Sequence, residues 1–195
     1  MAETALLIAG LGNPGGQYAL NRHNAGFILA DAIHAEYGFG PFRAKFEGLI
    51  AEGELAGRKT YLLKPQTYMN DSGRSVSAAM KFFKLPLTAL VVAHDEIDLA
   101  AGKLKVKTGG GEAGQNGLRS ITAALGPDYR RVRIGIGHPG HKDRVTGHVL
   151  ANFSKDDFAW FKPMLDAMVE AAPLLAKDDD NGFMSKVALL LPKTD

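Results

Sequence analysis

Between Leu6 and Gly137 short apolar runs of strand length alternate with stretches whose apolar residues return at helical spacing, and this alternation constrains the fold more than any other feature. Leu6 to Leu11 and Ala89 to Ala93 (A-L-V-V-A) are continuously apolar, as strands covered on both faces are. Lys103 to Lys107 alternates charged and apolar residues, the pattern of a half-buried strand, and Arg131 to Gly137 (R-V-R-I-G-I-G) reads as another. Leu49 to Leu55 and Thr60 to Leu63 flank Ala56 to Lys59, where Gly57 predicts a hairpin turn. Helices are expected over Asn24 to Tyr37, over Ser75 to Lys84 ahead of Pro86, over Asn116 to Leu125, and through a helical C-terminal end within 153–190. Strands interleaved with helices, plus a hairpin, predict an α/β fold: a three-layer sandwich with a central mixed β-sheet flanked by helices, as a single domain over 1–195.

A chain of 195 residues can bury roughly 70% of its unfolded surface, enough for a core without covalent staples. It has no cysteine, which excludes disulfides, thiolate metal sites and cysteine nucleophiles. No apolar stretch nears the ~20 residues of a membrane span, and no basic cluster precedes an apolar run at the N-terminus, so a cytoplasmic protein without a membrane partner is expected. The net charge is only +2, but residues 103–144 carry nine Lys and Arg against three Asp and Glu. Such an excess is either scattered surface charge or the footprint of a polyanion such as nucleic acid.

Two glycine-rich loops invite a nucleotide reading. Gly10 to Gly15 (G-L-G-N-P-G) satisfies G-x-G-x-x-G, with Asp31 at a suitable distance for a ribose contact, but Pro14 and the polar stretch through Arg22 delay the helix that should meet a pyrophosphate. Gly109, Gly110, Gly111 and Gly114 could cradle an anion, yet Gln115 and Asn116 stand where a P-loop needs Lys and Ser or Thr. The usual serine and zinc hydrolase signatures are missing.

A histidine base acting on water is the simple hydrolytic chemistry that remains, and His23 with Asp95 is the best pair available. A carboxylate holding one ring nitrogen fixes the tautomer and raises the basicity of the other. Taken alone, His23 could equally be a helix-start residue, and His94 reads as a core or sheet-edge residue. His138, His141 and His148 look like surface or lid residues, not metal ligands. Asn13, His23, Asn70, Asp95 and Asn116 all fall just past a predicted strand or at a helix start, the edge where open α/β sheets bind ligands.

Five ordered blocks resemble the bacterial-type peptidyl-tRNA hydrolases: G-L-G-N-P-G-x-x-Y from Gly10 with R-H-N-A-G from Arg22, K-P-x-T-Y-M-N-x-S-G from Lys64, V-A-H-D-E-I-D-L from Val92, K-x-G-G-G-x-x-G-x-N-G-L from Lys107, and R-I-G-I-G-H-P-G from Arg133. The likeness implies hydrolysis of the ester joining a peptide to the terminal ribose of tRNA, which recycles tRNA from prematurely released chains. It implies His23 as general base, Asp95 as the carboxylate that holds it, and Asn13 as the residue separating blocked from free α-amino groups. Tyr18, Tyr68, Asn70 and Asn116 would contact substrate, Met69 would line the cleft, and Lys107 with Arg133 would grip the tRNA 5′ phosphate. The segment 138–150 would form a lid-like loop. The partner is peptidyl-tRNA, no metal or cofactor is required, and a monomer is expected. A non-catalytic tRNA- or RNA-binding protein is the alternative. The chain departs from the common family pattern at Asn21 and at Glu112, Ala113 and Gln115, where histidines and glycine are usual.

Overall fold

In the computed structural model, which describes residues 3–193, the hairpin forms as the glycine signal predicts. Strands β3 (Gly48–Leu55) and β4 (Arg58–Pro65) meet through Ala56 and Gly57, both in the left-handed region that a two-residue hairpin turn demands. The apolar runs become β1 (Leu6–Gly10) and β5 (Leu90–Glu96), and the basic region supplies β6 (Leu104–Thr108) and β7 (Arg130–Gly135). A three-residue strand, β2 (Arg43–Lys45), completes a seven-stranded sheet of order β2-β3-β4-β1-β5-β7-β6. The neighbours β4, β1, β5 and β7 run parallel, whereas β2, β3 and β6 pair antiparallel, so the sheet is mixed.

The period-two alternation of strand side chains divides the core in two. Leu6, Ile8, Val91, Ala93, Val132 and Ile134 face α1 (Ala25–Glu36), α5 (Lys155–Ala176) and α6 (Asp180–Leu190). Leu7, Ala9, Leu63, Leu90 and Val92 face α2 (Ser72–Phe82) and α3 (Asn116–Leu125). The result is a three-layer α/β sandwich. A short helix, α4 (Val145–Val149), lies within the stretch expected to be a loop.

Two departures bear on the site. The apolar pattern ends β5 at Ala93, but the strand continues through His94, Asp95 and Glu96, all buried. Asp95 therefore projects from the end of a strand and not from the turn after it. Strand β6 ends opposite Arg130, at the amino edge of the sheet, and the glycine-rich segment 109–115 returns along the sheet to the carboxyl edge, where α3 begins. Arg131, fully buried, fastens that returning segment by donating to Gly111 O at 2.6 Å and Pro127 O at 3.0 Å. Ala113 adopts φ 51° there, a left-handed conformation that costs a residue with a side chain roughly 1–2 kcal/mol.

Candidate active site

The loop after β1 does not open into a helix. It passes through two short 3-10 turns, Gly16–Tyr18 and Arg22–Asn24, before α1 starts at Ala25. The dinucleotide reading fails because, after that delay, the first turn of α1 packs directly on the backbone of the Gly10–Gly15 loop, with Phe27 N donating to Leu11 O at 3.1 Å instead of to a pyrophosphate, and Asp31 is committed to an ion pair with Lys64 at 2.6 Å.

The second turn holds His23, and its surroundings are closely pinned. Leu20 O accepts from Phe153 N, Arg22 N donates to Ala151 O, and Asn21 Nδ2 donates to Asn152 Oδ1 at 2.7 Å. Arg22 donates to His148 O and pairs with Asp157, tying the turn to the end of α4 and the start of α5. Asn24, which sequence reasoning passed over, exchanges two 2.9 Å hydrogen bonds with the backbone of Asn13, joining both ends of the loop. These contacts place the buried His23 ring against β5.

His23 Nδ1 lies 2.8 Å from Asp95 Oδ2, and the other oxygen of Asp95 accepts from Gln115 Nε2 at 3.1 Å. Among the described residues His23 Nε2 has no hydrogen-bond partner, and the ring lines a cavity at this edge. Burial opposes protonation of His23, but the charge of Asp95 and its hydrogen bond outweigh it, so the imidazole pKa is raised above its ordinary value of 6.5. Two opposite pH trends follow. The stability contributed by the pair is fully present below the unfolded-state pKa and is lost as pH rises through the folded one, whereas the neutral ring that a base requires grows over the same interval. We expect urea midpoints to fall as pH rises through that window, and to lose this dependence in Asp95→Asn. The neighbouring His94 differs: burial keeps it below the ordinary range, and its Nδ1 donates to Asp95 O at 2.8 Å.

A cavity of about 430 Å³ is lined by Asn13, His23, Tyr68, Met69, Asn70, Asp95 and Asn116, with Val145, Thr146, Val149 and Leu150 of the α4 region forming one wall. Asn13 Oδ1 accepts from Met69 N at 2.8 Å, which fixes the amide orientation and leaves its NH₂ free of partners among the described residues. Met69 and Asn70 sit on a 3-10 turn ahead of α2, Tyr68 is exposed at the rim, and Asn116 is the first residue of α3. Tyr18 does not line this cavity; it lies half-buried on the first 3-10 turn.

Lys107 and Arg133 line a neighbouring cavity of about 270 Å³, which shares Glu96 and Ala113 with the first. Arg133 donates to Glu96 Oε1 at 2.9 Å. Across the β6–β7 pair, Lys105 lies opposite Arg133 and Lys107 opposite Arg131, so like charges face each other on one side of the sheet. Such an arrangement costs stability unless an anion sits on it. His138 and His141 accept from nearby backbone N–H groups, His141 Nδ1 also lies 3.4 Å from Asp143 Oδ2, and no cluster of three or more potential metal ligands occurs among the described residues. Nor is any described helix long and apolar enough to cross a membrane.

The sequence model of the peptidyl-tRNA hydrolase family matches residues 7–194. The peptidyl-tRNA hydrolase of Granulibacter bethesdensis is 59% identical over 186 residues, 95% of this chain and 96% of that one. That of Mesorhizobium japonicum is 58% identical over 184 residues, 94% of this chain and 77% of its own. The solved peptidyl-tRNA hydrolase of Acinetobacter baumannii has a TM-score of 0.92 to this structure at 40% identity, covering 99% of both chains. Fold and site thus define an α/β ester hydrolase. The chain belongs to the peptidyl-tRNA hydrolase family, and its reaction is the hydrolysis of peptidyl-tRNA.

Proposed function

We propose that His23 is the general base of this hydrolysis, acting on a water molecule at the ester between the peptide and the terminal ribose of tRNA. The observation that supports this most is the 2.8 Å contact of Nδ1 with Asp95, which leaves Nε2 as the nitrogen available to the cavity. Nε2 takes a proton from water, the water oxygen bonds to the carbonyl carbon, and the ester C–O bond breaks as the proton passes to the leaving ribose oxygen. Asp95 stays ionised throughout and stabilises the imidazolium between the two transfers. The ester is activated enough that no step calls for a metal or cofactor.

Asn13 suits the discrimination of blocked α-amino groups. Its acceptor is occupied by Met69 N–H, so only donors face the substrate. Donors match the carbonyl oxygen of a peptide bond or a developing oxyanion, and they offer nothing to a free α-ammonium, itself a donor. Tyr68, Met69, Asn70 and Asn116 contact the peptide, and Tyr18 meets substrate beyond the cavity rim. The segment 138–150 serves as the lid, a single domain spans 1–195, and the protein works as a cytoplasmic monomer.

Lys107 and Arg133 bind the 5′ phosphate, a contact that positions a nucleic acid without reading its bases. Lys107 is exposed and has no ion pair among the described residues, so it is the cleaner probe. Lys107→Ala is expected to raise KM about tenfold with kcat little changed, and to reduce the slope of log(kcat/KM) against log[salt] by roughly 0.7–0.9. Steady-state hydrolysis of N-blocked aminoacyl-tRNA across a salt series measures both. Retention of the tRNA without any turnover by the unmodified protein would favour the non-catalytic RNA-binding alternative.

A further inference from the structure

Gln115 occupies the N-cap of α3, where its Oε1 accepts from Leu118 N at 2.8 Å. Short residues, Ser, Thr, Asp and Asn, are the usual choice for this task. A glutamine reaches one methylene further, and here the extra reach is used: Nε2 lies 3.1 Å from Asp95 Oδ1 and 3.3 Å from Met69 Sδ. The cap decides which end of the carboxamide does what. With the oxygen committed to the helix N-terminus, only the NH₂ can face Asp95. The side chain is buried, so water does not readily replace it.

We propose that Gln115 is a positioning residue for the reaction: anchored by the first turn of α3, it holds one oxygen of Asp95 so that the other meets the His23 ring. The proposal rests on His23 being the base. It assigns a purpose to a position at which this chain departs from the common family pattern, and it joins the end of the glycine-rich return segment to the chemistry. Arg131, through Gly111, fixes the middle of the same segment.

The pair has few other charged neighbours. Glu96, next along β5, lines the same cavity and is engaged by Arg133; Tyr68 stands at the rim; His94 lies behind Asp95 on the strand; Arg22, beside His23, is held by Asp157. None of these donates to Asp95 Oδ1. A carboxylate that loses its only donor at one oxygen becomes more basic and attracts the imidazolium more strongly.

Gln115→Asn separates capping from positioning. Asparagine caps a helix at least as well but is one methylene too short to reach Asp95. Gln115→Met keeps the length and removes all three side-chain hydrogen bonds, to Leu118 N, Asp95 and Met69. Three readouts are needed: the NMR titration of the His23 ring, the pH profile of kcat/KM, and thermal unfolding. For Gln115→Asn we expect a melting temperature near that of the unmodified protein, kcat about tenfold lower with KM little changed, and a His23 titration midpoint moved upward together with the acid limb of the rate profile. Gln115→Met should show the same kinetic changes and a lower melting temperature. Wild-type kcat and an unmoved His23 midpoint in Gln115→Asn would reduce Gln115 to a helix cap and overturn the proposal. A moved midpoint with an unmoved rate profile would instead uphold the Gln115–Asp95–His23 linkage and overturn the assignment of His23 as base.

Discussion

Replacing His23 by Ala is expected to lower kcat/KM on N-blocked aminoacyl-tRNA about a thousandfold in a protein that still folds. General base catalysis supplies roughly 10²–10⁴ of an enzyme's acceleration, and the histidine serves here in both directions, first accepting and then returning the proton. Among the described residues no second imidazole lines the cavity, since His94 lies behind Asp95 and His148 Nε2 is directed to Ile136 O. Ala leaves Asp95 with Gln115 as its remaining side-chain donor, so part of any loss could come from a disturbed carboxylate. His23→Asn answers that, because a short amide can still donate to Asp95 while offering no base, and it should be as slow as His23→Ala at near-normal stability. Turnover within tenfold of the unmodified enzyme in either folded variant would remove His23 from the mechanism.

The second large effect is on the scaffold. Gly26→Ala is expected to destabilise the protein by about 3 kcal/mol, which for a chain of this size lowers the melting temperature by roughly 6–12 °C. Gly26 is the second residue of α1, and a Cβ there would lie 2.3 Å from Ala93 O and 2.4 Å from Leu11 N. Both are backbone atoms, and they bond to each other: Leu11 N donates to Ala93 O at 3.0 Å, and Phe27 N donates to Leu11 O at 3.1 Å. Nothing at this junction can swing aside as a side chain would. The junction also separates His23, three residues before Gly26, from Asp95, two residues after Ala93, so kcat should fall with stability. Differential scanning calorimetry checks the first effect and steady-state kinetics the second. A melting temperature within about 2 °C of the original would show that helix and strands are less tightly joined than the geometry implies.

Much of this architecture is legible in the chain because burial on both faces leaves a plain apolar signature. Leu6–Gly10 and the first half of β5 stand out for that reason, and Asn116–Leu125 shows its helical period at the predicted limits. The polar end of β5 is hidden. His94, Asp95 and Glu96 look like a turn; Asp95 and Glu96 are tolerable inside a sheet because His23, Gln115 and Arg133 arrive from distant segments to satisfy them, whereas His94 bonds only to the neighbouring Asp95 O among the described residues. Strand β2 gives no signal, since Arg43–Lys45 is an exposed edge held by backbone pairing with β3.

The candidate site divides in the same way. His23 and Asp95 stand out as chemistry-bearing residue types, and the resemblance adds the asparagines around them. Asn24 and Gln115 do not stand out, because a carboxamide that bonds to a loop backbone or caps a helix looks like any other polar residue until its partners are known. Gln115 reads from sequence mainly as a missing P-loop lysine. The return of segment 109–115 along the sheet is also invisible, because it follows from the antiparallel placement of β6.

The central claim is that the neutral form of one imidazole, held by Asp95, takes the proton from water. It is tested most directly by following the His23 ring by NMR and kcat/KM over the same pH series. One midpoint is expected for both, above the ordinary imidazole value, with activity rising as the ring loses its proton. A rate that holds steady while the His23 ring titrates would contradict it.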